Sequence, residues 1–282
     1  MGDRPVVADG PLDLSVQTAT SCNLACTVCP HRDVYRSCWF MADSTWDMII
    51  KSINDLPSLV YVTITQNNEP LMDPSIYNKI RDVNRKTGKK SIIITNGKAL
   101  VDAKTRASLV DAAPSRVDIS LISGNKEEYE TITGLSFSRT INTIKMCAHT
   151  GLNIQVLVAK TNNTDVRYVL GMLSGIPVQF NPLTSNAGLT PQCNELYTPP
   201  FKHQHGTNCP HPLYFMVVRY NGDVVLCCFD WESNTILGNV NFTPLREIYY
   251  GKVLSEFRKE MSQGIYSLSM CKTCAKEFGY GI

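Results

Sequence analysis

Residues 22–30 read Cys-Asn-Leu-Ala-Cys-Thr-Val-Cys-Pro and follow a short alternating run, Leu-Asp-Leu-Ser-Val-Gln-Thr, at 12–18. Cys22, Cys26 and Cys29 therefore stand in the spacing CxxxCxxC just after a predicted strand. Three thiolates placed in this way can ligate three irons of a [4Fe–4S] cube and leave the fourth iron open. Because an open iron can bind a small molecule and pass it an electron, the spacing predicts chemistry rather than a structural staple.

Around this stretch, short β-branched runs alternate with helical patterns. Six runs predict strands, at 12–18, 59–65, 91–95, 116–122, 153–159 and 178–182. Six β-then-α units predict a parallel sheet with helices outside it. Near-continuous apolar runs such as residues 91–95 are typical of a sheet buried on both faces. We therefore predict an α/β fold with a partial (β/α)6 barrel over residues 1–182.

The character of the sequence changes after residue 182. Residues 183–212 are rich in Pro, Asn, Thr, His and Gly and predict a loop. Two β runs around Asn221-Gly222-Asp223 then predict a hairpin. Residues 242–261 predict one helix, and Cys-Lys-Thr-Cys follows at 271–274. Residues 183–282 are thus predicted to form a small C-terminal module of a β-hairpin and a helix.

Charge and hydropathy exclude several classes of protein. The 282 residues carry a net charge of +2, so no strong field indicates a nucleic acid or a membrane surface as partner. No apolar run approaches the roughly 20 residues of a membrane helix. The N-terminal residues show no signal peptide, and we expect a cytoplasmic protein. In a reducing compartment, eleven cysteines indicate metal ligation rather than disulfides.

A second group of cysteines lies near the C-terminus. Cys209, Cys227, Cys271 and Cys274 can complete a four-cysteine site, and the residues alone suit structural zinc as well as an iron–sulfur cluster. Cys227 and Cys228 are adjacent; if they lie on a strand, their thiols face opposite sides and only one joins the site. We expect Cys227 to join it and Cys228 to be spare.

Several ordered motifs resemble the radical S-adenosylmethionine (SAM) superfamily, in particular members with a SPASM or twitch extension. Among them, 2-deoxy-scyllo-inosamine dehydrogenase and aminoglycoside epimerase-like enzymes are the nearest kinds. The resemblance covers nearly the whole chain. Its motifs are the CxxxCxxC run, Gln66-Asn67-Asn68-Glu69-Pro70 where the family usually has Gly-Gly-Glu-Pro, Thr95-Asn96-Gly97, the 118–121 strand with Tyr129 to Gly134, and the C-terminal cysteines with Gly238-Asn239-Val240.

The resemblance implies a fold, cofactors and roles for particular residues. In the family, one [4Fe–4S] cluster binds SAM and cleaves it to a 5′-deoxyadenosyl radical, which removes a hydrogen atom from the substrate. By matching positions, the cluster ligands are Cys22, Cys26 and Cys29. Asn67, Asn68 and Glu69 contact the SAM amine, largely through main-chain carbonyls, with Asn96 and Ser120 at the same mouth. Val28 offers adenine an apolar contact, and the four C-terminal cysteines hold one auxiliary [4Fe–4S] cluster.

Two outcomes follow hydrogen abstraction, and the sequence leaves both open. In an epimerisation, a thiol returns hydrogen to the opposite face; Cys228 is the first candidate donor and Cys193 the second. In a dehydrogenation, the auxiliary cluster accepts the second electron. Asp230 can then take a proton from the alcohol, or Asp230 and Glu232 can bind a substrate amine or hydroxyl. The alternative for both carboxylates is a solvated loop.

Three kinds of function remain open for the chain. The first is radical chemistry on a small polar molecule such as an amino sugar or aminocyclitol, with a flavodoxin or ferredoxin as reductant. The second is modification of a ribosomal peptide or protein side chain; the short segment before the first strand leads us to expect no separate peptide-recognition domain. The third is a non-enzymatic zinc or iron–sulfur protein.

Other residues complete these expectations. Arg32 and Arg36 can meet an acidic substrate or a reductant, or be surface charge. Tyr35, Trp39 and Phe40 are expected to shield the cluster loop from water. Asn186, in the polar run 183–188, occupies a place where related enzymes bind substrate or SAM. His203, His205 and His211 are expected to be loop histidines, one of them near substrate, and Cys147 a buried small hydrophobe.

Overall fold

A computed structural model describes residues 10–196 and 209–280. One nine-stranded sheet crosses the described part of the chain, in the order β6-β5-β4-β3-β2-β1-β7-β8-β9. Its strands are β1 (Asp13–Val16), β2 (Tyr61–Thr63), β3 (Lys90–Thr95), β4 (Arg116–Leu121), β5 (Ile154–Lys160), β6 (Val178–Pro182), β7 (Phe215–Val218), β8 (Asp223–Val225) and β9 (Ile236–Asn239). The first six strands coincide with the six runs that the sequence predicts, and only β3 and β5 extend one residue beyond them.

The six N-terminal strands are all parallel to their neighbours. Because β6 and β9 are edge strands, the sheet is open, as a partial barrel requires. Side chains such as Leu14, Val62 and Ile93 are fully buried and join the main core. The α/β fold with a parallel sheet is therefore confirmed, and the carboxyl ends of its strands meet at one edge.

The helices cover the sheet and connect its strands. They are α1 (His31–Val34), α2 (Asp43–Ile53), α3 (Ile76–Asp82), α4 (Ala103–Ala112), α5 (Lys126–Thr133), α6 (Phe137–Ala148), α7 (Val166–Met172), α8 (Cys193–Leu196), α9 (His211–Tyr214), α10 (Leu245–Tyr249), α11 (Lys252–Ser262) and α12 (Ser269–Phe278). Cys147 lies on α6 and is fully buried, as expected. No helix of the described residues is both long and apolar enough to span a lipid bilayer.

The prediction of one helix over residues 242–261 is wrong. The chain forms α10 and α11, which are separated at Gly251. Gly251 has an extended backbone, with φ −65° and ψ 159°, and its amide still bonds to the carbonyl of Ile248. A Cβ there would lie 3.0 Å from the Glu247 carbonyl oxygen, so this close approach favours glycine. The amphipathic pattern continues on both sides of Gly251, so the sequence does not show that the helix is interrupted there.

The C-terminal strands continue the barrel sheet. β7 pairs in parallel with β1, with Asp13 opposite Phe215 and Val16 opposite Val218. β7 and β8 form the predicted antiparallel hairpin around Gly222, whose φ is +90°. β9 was not predicted, because Ile236–Asn239 is short and contains a glycine. The pairing of β7 with β1 places the loops that follow them side by side.

Asp13 gives the fold a pH dependence that can be measured. Burial raises the pKa of Asp13 to about 6, although Thr63 donates a hydrogen bond to it at 3.0 Å. A carboxyl whose pKa is higher in the folded than in the unfolded state loses its stabilising contribution as the pH rises from about 4 to about 6. Asp13→Asn removes this pH dependence. We therefore expect the free energy of unfolding of the variant minus that of wild type to be larger at pH 7 than at pH 4, by on the order of 2–3 kcal/mol. Urea unfolding at both pH values measures this, and an equal difference at both would contradict it.

Candidate functional site

The loops after β1 to β6 line one large cavity at the carboxyl edge of the sheet. Cys22, Cys26 and Cys29 line it together with Asn68, Glu69, Asn96 and Ser120. The cavity encloses about 1240 Å³ between protein atoms, including its open mouth. Most of the residues that the family resemblance selected are thus brought together. Two further lining residues, Thr133 and Thr184, lie in segments that the sequence singled out, 129–134 and 183–188, whereas Thr65 and Asn181 were not singled out.

The three cysteines of the 22–30 loop are free and half-buried. Burial, reinforced by the neighbouring thiols, raises the pKa of Cys26 to about 12, and burial raises that of Cys29 to about 11. Thiols in such a place become thiolates only when a bound cation offsets the cost of burying their charge. The donor set therefore suits a metal group that brings positive charge.

The three thiols line a common cavity. In the described parts of the chain, no three Cys, His, Asp or Glu side chains converge closely enough to hold one metal ion.

The Glu69 side chain joins the loop after β2 to the end of β3. Its carboxylate is almost fully buried and accepts hydrogen bonds from the amides of Leu71 and Asn96, and from the Thr95 hydroxyl at 2.7 Å. Burial raises the pKa of Glu69, and these three donors act against the rise. Its main chain is also engaged: the Glu69 amide donates to the Ser21 carbonyl at 2.9 Å, and its carbonyl accepts from the Met72 amide at 3.1 Å. A contact between Glu69 and SAM is therefore an implication of the family resemblance alone.

The two asparagines before Glu69 take different conformations. Asn67 has φ +55°, a left-handed conformation that asparagine tolerates and that glycine adopts in the usual family motif. Asn68 lines the cavity, and its side-chain oxygen accepts from the Gln66 amide at 2.9 Å. The amide nitrogens of both side chains are buried without a partner. Unpaired donors of this kind fit a polar ligand such as SAM.

The opposite wall of the cavity is formed by Val28 and the 183–190 loop. Val28 is buried and packs in a small cluster with Ile132, Leu183 and Cys193. The Asn186 side chain donates to the Val28 carbonyl at 3.3 Å and to Thr190 at 2.9 Å. Asn186 therefore supports the cluster loop from the side as well as lining the cavity.

The second cysteine set surrounds a separate, mostly apolar space. Cys209, Cys227, Cys271 and Cys274 all line it, next to His211 and Tyr280. Burial raises the pKa of Cys209 to about 11 and that of Cys271 to about 12. Like the thiols of the first set, these four become thiolates only when a bound cation offsets the cost of burying their charge. The four cysteines come from three separate segments of the chain, and Cys271 and Cys274 both lie on α12.

Cys227 and Cys228 are not on a strand. β8 ends at Val225, and both cysteines lie in the turn that follows. The alternation argument for their orientation is therefore wrong, although Cys227 does line the four-cysteine space, as predicted. The carbonyl of Cys228 accepts a hydrogen bond from the Gln66 side chain at 3.1 Å. This bond joins the cysteine turn directly to the loop that carries Asn67, Asn68 and Glu69.

The two candidate carboxylates near this turn have different environments. Asp230 is almost fully buried, and its carboxylate accepts hydrogen bonds from the amides of Asn234 and Thr235 and from the Thr235 hydroxyl. Glu232 is exposed and accepts from the Asn234 side chain at 3.2 Å. Asp230 is thus not a solvated loop carboxylate, whereas Glu232 is.

The remaining candidates are distributed around the two sites. Cys193 is buried, and its thiol lies 3.3 Å from the Thr190 hydroxyl and 3.8 Å from the Val28 carbonyl, beneath the cluster loop. His203 and His205 lie outside the described residues. Trp39 and Phe40 are 56% and 47% exposed, so the expectation that they shield the cluster loop is wrong. Phe40 instead forms an isolated β-bridge with Ala19 at the surface.

Two models of known families match this chain. A radical SAM superfamily model matches residues 16–167, and a SPASM iron–sulfur cluster-binding domain model matches residues 209–275. The first match spans more than half of the chain, and the protein belongs to the radical SAM superfamily. Its cofactors are accordingly SAM, the [4Fe–4S] cluster that binds it, and an auxiliary iron–sulfur centre in the SPASM region.

Solved structures with the same fold hold different kinds of bound molecule. BtrN, solved with AdoMet and 2-DOIA, is 17% identical with a TM-score of 0.62, and the match covers 93% of this chain and 92% of BtrN. Streptococcus suis SuiB, bound to its precursor peptide SuiA, is 16% identical with a TM-score of 0.70, over 88% and 67% of the two chains. The enzyme anSMEcpe, with AdoMet and a Cp18Cys peptide, is 18% identical with a TM-score of 0.70, over 95% and 91%. No curated protein has a significantly similar sequence.

Proposed function

We propose that this enzyme removes a hydrogen atom from a small polar substrate, such as an amino sugar, an aminocyclitol or a related natural-product intermediate. The observation that carries the proposal is the lining of the large cavity. Its polar groups are hydroxyls and amides, and its one charged side chain, Glu69, is already held by three donors. Such a lining recognises hydroxyl-bearing molecules. The BtrN structure with 2-DOIA supports a small-molecule substrate for this fold.

The site residues divide this work between them. When bound, the [4Fe–4S] cluster and SAM supply the 5′-deoxyadenosyl radical. Cys22, Cys26 and Cys29 hold the cluster, and Asn67, Asn68 and Glu69 present acceptors to the SAM amine. Asn96, which donates to Asn23 at 2.9 Å, and Ser120 position SAM from the neighbouring strand ends. We assign this work to residues 1–182 and the auxiliary centre to residues 183–282.

For the auxiliary centre we propose one [4Fe–4S] cluster on Cys209, Cys227, Cys271 and Cys274. Support comes from the mostly apolar space that the four thiols share and from the match of residues 209–275 to an iron–sulfur cluster-binding domain model. Gln66 connects this centre to the SAM loop through the Cys228 carbonyl. This hydrogen bond supports a position for the Cys228 turn beside the loop that carries Asn67, Asn68 and Glu69.

Cys228 and Asp230 are the candidate residues for the two reactions open to the substrate radical, epimerisation and dehydrogenation. As a hydrogen-atom donor, Cys228 would complete an epimerisation, with Cys193 as the alternative donor. As a proton acceptor, Asp230 would serve an oxidation in which the auxiliary cluster takes the second electron. The three hydrogen bonds to Asp230 favour a further role, which is to hold residues 230–235 beside the cysteine turn.

Turnover of candidate aminocyclitols and amino sugars in deuterated water tests the proposal. We expect Cys228→Ala to abolish an inverted, deuterium-labelled product while 5′-deoxyadenosine still forms, because only hydrogen return is lost. Cys38→Ala, at an exposed position outside both cysteine sets, is the matched control and should behave as wild type. An unchanged inverted product in Cys228→Ala would remove Cys228 as donor. A carbonyl product would instead assign dehydrogenation.

Peptide modification is the second candidate, favoured by the structures of SuiB with its precursor peptide and anSMEcpe with Cp18Cys. The exposed mouth of the large cavity could admit an extended side chain as well as a small molecule. Turnover of small molecules by the purified enzyme without any peptide supports the first candidate. A requirement for a peptide would establish the second.

A flavodoxin or ferredoxin is proposed as the reductant, and Arg32 and Arg36 as part of its docking surface. Both are exposed on the cluster loop, close in sequence to exposed Trp39. Acidic electron donors are drawn to such cations. We expect Arg32→Glu with Arg36→Glu to raise the KM for flavodoxin about tenfold or more while dithionite-driven SAM cleavage is unchanged. An equal loss with both reductants would contradict a docking role.

A further inference from the structure

Arg219 is a buried cation at the boundary between the two cysteine sites. It follows β7 directly and is only 2% exposed. Its guanidinium donates to the Tyr35 hydroxyl at 2.8 Å and to the main-chain carbonyl of Asp230. Tyr35 follows α1, the short helix that comes directly after the SAM-cluster loop, and Asp230 follows the Cys227-Cys228 turn. The guanidinium thus lies between the two loops that carry cluster ligands.

All the partners of this guanidinium are neutral. Its Nε atom is buried without a partner, and the Tyr35 hydroxyl also accepts from Gln17 at 3.0 Å. In the parts of the chain described, the ion pairs within 4.0 Å do not include Arg219. The Asp230 carboxylate is taken up by Asn234 and Thr235, while Arg219 contacts only its carbonyl. A buried charge with neutral partners alone is costly.

The cysteine turn lies directly beyond the Asp230 carbonyl that Arg219 contacts, because the Asp230 amide donates to the Cys227 carbonyl at 3.2 Å. Cys227, a proposed cluster ligand, lines the four-cysteine space with Cys209 and Cys271. Asp33, Asp223 and Glu232 line an open space with Arg219, but none of them forms an ion pair with it. An iron–sulfur cluster with four thiolates carries net negative charge, which a fixed buried guanidinium would balance.

We propose that Arg219 is the built-in counter-charge of the auxiliary cluster and raises the reduction potential of that cluster. This inference rests on the proposed function, in which the four C-terminal cysteines hold a cluster that accepts an electron. Net charge and hydrogen bonding set the potentials of such clusters. A buried cation stabilises the more negative, reduced state, and the protein interior screens it weakly. Arg219 affects the reaction through the reduction potential of the cluster and not through contact with the substrate, so it is a positioning residue.

A redox titration of the reconstituted enzyme, followed by electron paramagnetic resonance, tests the proposal in Arg219→Met. We expect the reduced-to-oxidised ratio of the auxiliary cluster to fall at least tenfold at fixed potential, which is about 59 mV for one electron. Arg219→Lys keeps the charge and should retain most of the wild-type potential. Tyr35→Phe keeps the guanidinium but removes its hydroxyl partner, so it should leave the auxiliary potential near wild type.

Each outcome decides the matter. An unchanged auxiliary potential in Arg219→Met with full iron content overturns the proposal, as does an equal shift in Tyr35→Phe, which would indicate a structural effect. If Arg219→Met loses the auxiliary iron, the result for Arg219→Lys decides. Retention of the auxiliary cluster in Arg219→Lys supports a counter-charge, and loss of the cluster in both variants overturns it. A wild-type enzyme without a second cluster would overturn the auxiliary-site assignment itself and is recognised before any variant is made.

Discussion

Replacing Cys26 with serine is expected to reduce 5′-deoxyadenosine formation from SAM to background. The 22–30 loop provides three thiols to the large cavity, and a serine hydroxyl is too weak an acid to replace a thiolate ligand there. Because SAM binds at an iron that protein thiols leave open, loss of one ligand removes cluster and SAM chemistry together. Anaerobic reconstitution with iron and sulfide, followed by incubation with SAM and dithionite, measures the effect.

The exposed Cys38 provides the control for this variant. Cys38→Ser removes a thiol from the chain but from neither cysteine set, so its SAM cleavage should match wild type. Retention of more than a few per cent of wild-type cleavage in Cys26→Ser would contradict the assignment of Cys26.

Replacing Cys271 with serine is expected to separate the two sites. Iron content should fall from about eight to about four per chain, because one of two four-iron clusters is lost. Substrate turnover should fall to background while SAM cleavage persists without product. The reason is that Cys271 lies on α12, in the four-cysteine space and not in the SAM cavity.

Circular dichroism and iron analysis of Cys271→Ser distinguish this result from unfolding. Cys38→Ser again serves as control. Simultaneous loss of SAM cleavage and of both clusters in a folded protein would contradict two separate sites. Normal turnover with half the iron would show that the auxiliary cluster has no part in the reaction.

Local patterns predicted much of this fold. The six N-terminal strands were found because β-branched runs such as residues 91–95 are bounded by clear turns, and the first cysteine set because its spacing falls within one loop. The positive φ of Asn67 also agrees with the family motif, in which glycine stands at that place. These features depend on neighbours in the chain.

Features that depend on distant contacts were missed. The parallel pairing of β7 with β1 joins segments about 200 residues apart, and no periodicity encodes it. The hydrogen bond from Gln66 to Cys228 and the position of Arg219 between Tyr35 and Asp230 arise only from that pairing. The burial of Asp230 was missed for a different reason: the partners of its carboxylate, Asn234 and Thr235, are close in sequence, but they form a turn that the sequence shows only as polar residues.

The central claim is that Cys22, Cys26 and Cys29 hold a cluster that cleaves SAM, beside a second cluster at the C-terminal cysteines. The most direct measurement is anaerobic reconstitution of the wild-type chain, with iron analysis and detection of 5′-deoxyadenosine after addition of SAM and dithionite. We predict a brown protein with about eight irons per chain that forms 5′-deoxyadenosine. A colourless protein that holds zinc and forms none would contradict the account.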